Sequence, residues 1–83
     1  MRNKNIDPDV TYSLKEVADA RLLSPFFDTE DIRVYRKVLD SDRRKKNMLR
    51  AFIIGEGRQR RYKILGKNIL AFLAEIETGT YQL

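Results

Sequence analysis

Apolar residues recur along this chain at two periods, and the places where the period changes divide it into elements. Leu14, Val17 and Ala18 follow a helical spacing, and so do Ile32, Tyr35, Val38 and Leu39. Ile69, Leu70, Leu73 and Ile76 repeat that spacing near the end, with Phe72 widening the stripe. Between the second and third stripes the period falls to two. Phe52 and Ile54, then Tyr62 and Ile64, alternate with other residues as half-buried strands do. The pattern predicts the order helix, helix, β-hairpin, helix, an α+β domain with Phe52, Ile54, Tyr62 and Ile64 on one buried face.

Local signals set the boundaries. Ser13-Leu14-Lys15-Glu16 fits a capping box, with Tyr12 and Val17 placed as a hydrophobic staple around it, so a short helix runs from there to about Ala20. In the stretch RLLSPFFD, Ser24-Pro25 could open a helix with proline at its first position. Equally, Phe26 and Phe27 could plug the core from a turn. The preferred cap of the second helix is Asp28 or Thr29, because Thr29, Glu30 and Asp31 then put acids at the positive end of the helix dipole. That helix runs from Glu30 to Leu39, with Arg33, Arg36, Lys37 and Asp40 opposite its apolar face.

Residues 41–47, SDRRKKN, hold no apolar side chain and read as a loop or a solvated extension of the helix. The strands cover 50–54 and 60–65, joined through Gly55-Glu56-Gly57, which allows positive φ. The third helix spans Lys67 to Thr78, with Gly79 as its stop. Residues 1–11 read as a flexible lead-in, 12–79 as one domain and 80–83 as a tail. Within that tail, Tyr81 and Leu83 are suited to packing on the domain or on a neighbour.

Composition removes several classes of function. The 83 residues suffice for one small domain and contain neither cysteine nor histidine. Disulfides, thiolate ligands and imidazole bases are therefore excluded. No two acids are spaced as a catalytic pair, and Gly55-Glu56-Gly57 lacks the lysine of a phosphate loop. A non-enzymatic protein with no metal or cofactor is expected. The polar start has no leader-like apolar run, and no stretch approaches the ~18 apolar residues of a membrane span. The expected location is the cytoplasm, in association with the nucleoid, with no membrane partner.

Charge narrows the remaining field. From Arg33 to Lys67 there are 13 Lys/Arg against Asp40, Asp42 and Glu56, a balance of +10. The rest carries 4 basic and 9 acidic residues, a balance of −5, and the sum is the net +5. Such a basic middle between acidic flanks suits an anionic polymer. On the second helix, Arg33, Arg36 and Lys37 present a cationic face. Thr29 and Glu30 lie at its leading end; Glu30 could accept from a cytosine amino group, but favouring the helix N-terminus is the better reading. Arg58, Gln59, Arg60, Arg61 and Lys63 cluster on the hairpin, more polar and charged groups than a hairpin core needs. Arg43, Arg44, Lys45 and Lys46 lack an apolar scaffold and suit phosphates. Tyr35, Phe52, Tyr62 and Phe72 are in phase with apolar stripes and are assigned to the core.

In this order, these residues resemble the small winged-helix DNA-binding domains of the excisionase and MerR-like families. Tyr12 to Ala18 resembles their opening helix, and Ile32-Arg33-Val34-Tyr35-Arg36-Lys37-Val38 their recognition helix. Leu49 to Gly55 and Arg60 to Ile64 resemble the two wing strands, and Ile69-Leu70-Ala71-Phe72-Leu73 the closing helix. Two features depart from the family pattern: a longer connection between the first two helices without the usual glycine, and the added basic stretch before the wing. The resemblance implies a winged helix-turn-helix that binds double-stranded DNA. It implies that Arg33, Arg36 and Lys37 read the major groove, where arginine can fork onto guanine for about 1–3 kcal/mol of discrimination. It places Arg58, Gln59, Arg60, Arg61 and Lys63 in an adjacent, narrow minor groove. It further implies an architectural factor that bends a recombination site, self-associates along it and recruits a site-specific recombinase. The chain stops soon after the third helix, without the long dimerising helix of a full MerR-type regulator, which favours the excisionase reading. A small transcriptional repressor is the alternative with the same fold. An RNA-binding or protein-adaptor module is a third reading, disfavoured for RNA because the aromatic residues are assigned to the core.

Overall fold

The computed structural model describes residues 6–23, 26–59, 61–79 and 81. Along the chain come β1 (Thr11–Ser13), α1 (Leu14–Asp19), α2 (Ile32–Arg44), β2 (Phe52–Ile54), β3 (Arg61–Leu65) and α3 (Gly66–Glu77). The strands form one antiparallel sheet in the order β1-β3-β2, to which β1 adds a strand that the helical reading of residues 12–18 did not contain. Among the described residues, no helix is long and apolar enough to cross a membrane.

Helix α1 forms as its opening residues dictate. The Ser13 hydroxyl accepts from the Glu16 N–H at 3.1 Å, and the Glu16 carboxylate accepts from the Ser13 N–H at 2.8 Å. Its apolar side buries Leu14, Val17 and Ala18. The helix stops without a glycine: Arg21 takes φ 51°, the Leu22 N–H bonds the Val17 carbonyl at 2.9 Å, and the Arg21 N–H bonds the Ala18 carbonyl at 3.1 Å. This is a Schellman ending with arginine in the left-handed position. It turns Leu22 and Leu23 into the core; of the two phenylalanines that could have plugged it, Phe26 is exposed, while Phe27 is half-buried and packs against the core. Ser24 and Pro25 lie outside the described residues.

The start of α2 corrects the expected cap. Asp31, not Asp28 or Thr29, accepts from the Arg33 N–H at 3.0 Å, so Thr29 and Glu30 precede the helix. The Thr29 hydroxyl instead accepts from the Asp31 N–H. Buried Tyr35 reaches back from the helix, its hydroxyl 2.8 and 2.7 Å from the carbonyl oxygens of Phe27 and Thr29. That single anchor fixes the connection and satisfies the phenol.

Helix α2 continues to Arg44, and here the expectation of a solvated stretch fails at one residue. Asp42 is completely buried. Its carboxyl oxygens accept from the Met48 N–H at 3.0 Å, the Leu49 N–H at 2.9 Å and the Tyr81 hydroxyl. Three donors compensate for taking a polar acid out of water. Asp42 thereby turns the chain into β2 and holds Tyr81, which packs edge-on against Phe72 at 5.7 Å. Tyr81 therefore belongs to the domain; Thr80, Gln82 and Leu83 lie outside the described residues.

The proposed lead-in is also partly built into the fold. Ile6 is buried, and the Asp7 N–H bonds the Tyr12 hydroxyl at 2.8 Å. The Gly66 N–H bonds the Val10 carbonyl at 2.8 Å, and the Lys67 N–H bonds the Pro8 carbonyl at 3.2 Å. These bonds take up two donors that the first turn of α3 would otherwise leave unsatisfied. The approach needs a glycine, because a Cβ at residue 66 would overlap the Asp7 carbonyl oxygen. Gly66→Ala is thus expected to cost about 1–3 kcal/mol through overpacking. A thermal melt checks this, at about 4–8 °C lost per kcal/mol.

The hairpin departs from its expected register. Phe52 pairs with Lys63, Ile53 with Tyr62 and Ile54 with Arg61. Directly paired residues share a face, so Phe52 and Ile54 lie with Arg61 and Lys63, not with Tyr62 and Ile64. Ile64 is buried beneath the sheet while Phe52, Ile53 and Ile54 are 47%, 42% and 50% exposed. The cause is the sheet's shape. Strand β1 pairs only with Lys63 to Leu65, so the Arg61–Tyr62 end of β3 and its partners Ile54 and Ile53 project beyond it, while Phe52, opposite Lys63, lies on the face away from Ile64.

Candidate nucleic-acid interface

Three separate elements bring cationic side chains to one cleft. It has a volume of about 510 Å³ and lies between the start of α1, the first half of α2 and the hairpin. Arg36 contributes from α2, Arg58 from the short 3₁₀ turn of the hairpin and Arg61 from β3; Lys15 of α1 also lines the cleft, its ammonium paired with Asp19 at 2.8 Å. Tyr62 and Ile32 form part of its apolar wall, and none of its lining residues is acidic. Gly55 at φ 94° and Gly57 at φ 58° let the turn curl so that Arg58 and Arg61 reach the same space. The sequence had placed Arg36 and the hairpin arginines in separate grooves, and the fold sets them on one continuous surface. It did not identify Lys15 or Tyr62, since only the tertiary approach of α1 to the hairpin makes them neighbours.

The remaining candidates divide by what already holds them. Arg33 and Lys37 are exposed on α2 near Arg36. The Arg33 guanidinium is forked onto Asp31, Nε to Oδ1 at 3.1 Å and an Nη to Oδ2 at 3.0 Å. That fork, with the cap hydrogen bond, holds the Asp31 carboxyl below its ordinary value and raises the arginine. Glu30 lies 3.5 Å from Arg21, a pairing that ties the connection to α1. Thr29 and Glu30 thus have structural partners where the sequence suggested a leading edge.

Arg43 and Arg44 are exposed in the last turn of α2, where they also complement the negative end of its dipole. Lys45 is exposed in the turn that follows. Lys46 is held otherwise: its ammonium pairs with Glu75 at 3.2 Å and lies 5.2 Å from the centre of the Tyr81 ring. It clamps the end of α2 to α3. Lys63 is half-buried on β3, between Ser13 on β1 and Phe52 on β2. Arg60 and the side chain of Gln59 lie outside the described residues.

One substitution separates the cap from the charge. Asparagine caps helices as well as aspartate, but its amide offers a single acceptor oxygen to the guanidinium. Asp31→Asn is expected to keep the fold, within about 1 kcal/mol of wild type, while releasing the Arg33 guanidinium. A thermal melt beside hydrogen exchange of the Arg33 Nε–H checks it. The pH dependence follows the same pair. Because the folded-state value of Asp31 is depressed, its contribution to stability is present above the ordinary carboxylate range and fades as pH falls through the lowered value. The asparagine variant lacks that acid-side loss.

No protein-family model, curated protein or solved structure matches this chain.

Proposed function

We propose that this protein is a sequence-specific double-stranded DNA-binding protein of the winged-helix kind, acting as an excisionase-type architectural factor. The observation that carries the proposal is the cleft, in which Arg36, Arg58 and Arg61 converge from helix, turn and strand without an acidic neighbour in its lining. A solvated surface would tolerate mixed charges there. A sugar-phosphate strand passing between a helix in one groove and a hairpin in the next would require cations at that point.

In this reading α2 enters the major groove. Thirteen residues at about 1.5 Å each give it roughly 20 Å of length, enough to follow the groove across several base pairs. Arg33 and Lys37 face base edges, and Arg33 exchanges Asp31 for guanine as it does so. The hairpin approaches the adjacent minor groove, with Arg58, Arg61 and Lys63 on the phosphates that wall it. Arg43, Arg44 and Lys45 meet phosphates on the flank. The directing role in recombination, and recruitment of a recombinase, rest on the excisionase resemblance of the α2, hairpin and α3 segments.

Selection of duplexes from a random-sequence pool tests the proposal. The expected result is a single enriched sequence whose preferred bases change for Arg33→Ala. An unenriched pool would contradict sequence-specific binding.

A further inference from the structure

Beside the arginine cleft, the hairpin carries an apolar strip for which DNA binding by positive charge alone has no use. Phe52, Ile53 and Ile54 are consecutive, each about half exposed, and form an edge strand. A chain of this size gains more from burying three such side chains than from displaying them. Solvent-exposed edges are ordinarily blunted with charge or proline, and β2 has neither.

The neighbouring strand suggests what covers the strip. On the face that holds Phe52 and Ile54, their paired residues are Lys63 and Arg61. An apolar row therefore runs beside a cationic row one strand spacing away, about 4.8 Å. A purely apolar protein surface would have to desolvate those two cations together with Arg58. The minor groove of DNA has the matching cross-section: a floor of base edges about 6 Å wide, which accepts apolar atoms, between walls of phosphate, which accept the cations.

We infer that Phe52 and Ile54 form a wedge that enters the minor groove, separates a base step and bends the duplex, while Arg61 and Lys63 hold the phosphates beside it. Apolar side chains inserted between base steps unstack them and kink the duplex toward the major groove. Pyrimidine–purine steps yield most easily and would be the preferred points of entry. This deepens the proposed function and rests on it. It assigns the bending to two side chains that the cationic contacts do not include.

The test uses the full chain and a duplex enriched from a random pool, labelled at both ends for energy transfer. The wild-type protein should shorten the end-to-end distance. The double variant Phe52→Ser, Ile54→Ser should bind within about fivefold of wild type yet lose more than half of that shortening. Both positions are about half exposed, so the variant should melt somewhat lower yet remain folded at the temperature of the assay, which a thermal melt checks. Phe52→Leu with Ile54→Leu, which preserves an apolar wedge, should keep the bend. Bending by the serine variant equal to wild type overturns the inference and leaves the strip to a protein partner. Wild-type binding without bending overturns it as well. Failure of the wild type to bind any duplex would instead remove the DNA reading beneath it.

Discussion

Asp42→Ala should be the most destabilising single substitution outside the apolar core, lowering the free energy of unfolding by about 3 kcal/mol or more. Three donors lose their acceptor together: the buried Leu49 N–H, the half-buried Met48 N–H and the Tyr81 hydroxyl. Orphaned buried polar groups cost about 1–3 kcal/mol each, and in one network these costs do not simply add. For a domain of this size the melting temperature should fall by roughly 12–24 °C. Asp42→Asn, which keeps one acceptor oxygen, should fall between the two.

A second readout separates the network from a general loss of packing. Burial first, and then the hydrogen bond to Asp42, pushes the Tyr81 phenol up to about 12. A raised folded-state value means that this stabilisation is whole below the ordinary tyrosine value and is lost as pH rises through about 12. Alkaline melts should show that decline, and it should be smaller in Tyr81→Phe. Absorbance titration of Asp42→Asn should move the most basic tyrosine back toward its ordinary value. An unmoved titration would show that burial alone holds it.

The largest functional effect should follow from neutralising the cleft. On the proposed DNA-binding function, changing Arg36, Arg58 and Arg61 to glutamine removes three phosphate contacts. Each such contact contributes about 0.9 to the slope of log affinity against log salt, so the slope should fall by roughly 2.7. At ~0.1 M salt that corresponds to several-hundredfold weaker binding on every duplex alike. None of the three is buried, so melting temperature should hardly move. A change in the preferred sequence without a change in salt slope would place these arginines on bases and not on phosphates.

Much of the scaffold is legible in the sequence, for reasons that can be named. The capping box of α1, the helical stripes through α2 and α3, and the glycines of the hairpin turn are local signals, and each residue does there what its chemistry favours. What was illegible depends on partners far away along the chain. Asp42 lies in a run of charged residues and looks solvated; only the approach of Leu49 and Tyr81 makes it a buried acceptor. Strand β1 exists because β3 pairs with it, and three residues carry no periodicity of their own. The hairpin register slipped by one because alternation alone cannot say which of two interleaved sets faces the core when all of Phe52, Ile53 and Ile54 are apolar. The candidate site was readable as residue types on elements, Arg36 on the helix and Arg58 and Arg61 on the hairpin. Their convergence, the entry of Lys15 and the removal of Lys46 to Glu75 and Tyr81 were not.

The central claim, that this surface reads duplex DNA, is tested most directly by one titration. The protein is added to its enriched duplex and to a scrambled duplex of the same composition, each at several salt concentrations. The expected result is a preference of at least tens-fold for the enriched sequence, a steep salt slope on both, and loss of the preference in Arg33→Ala. Equal affinity for the two duplexes at every salt concentration would contradict sequence reading by α2, and absence of binding at low salt would contradict DNA binding altogether.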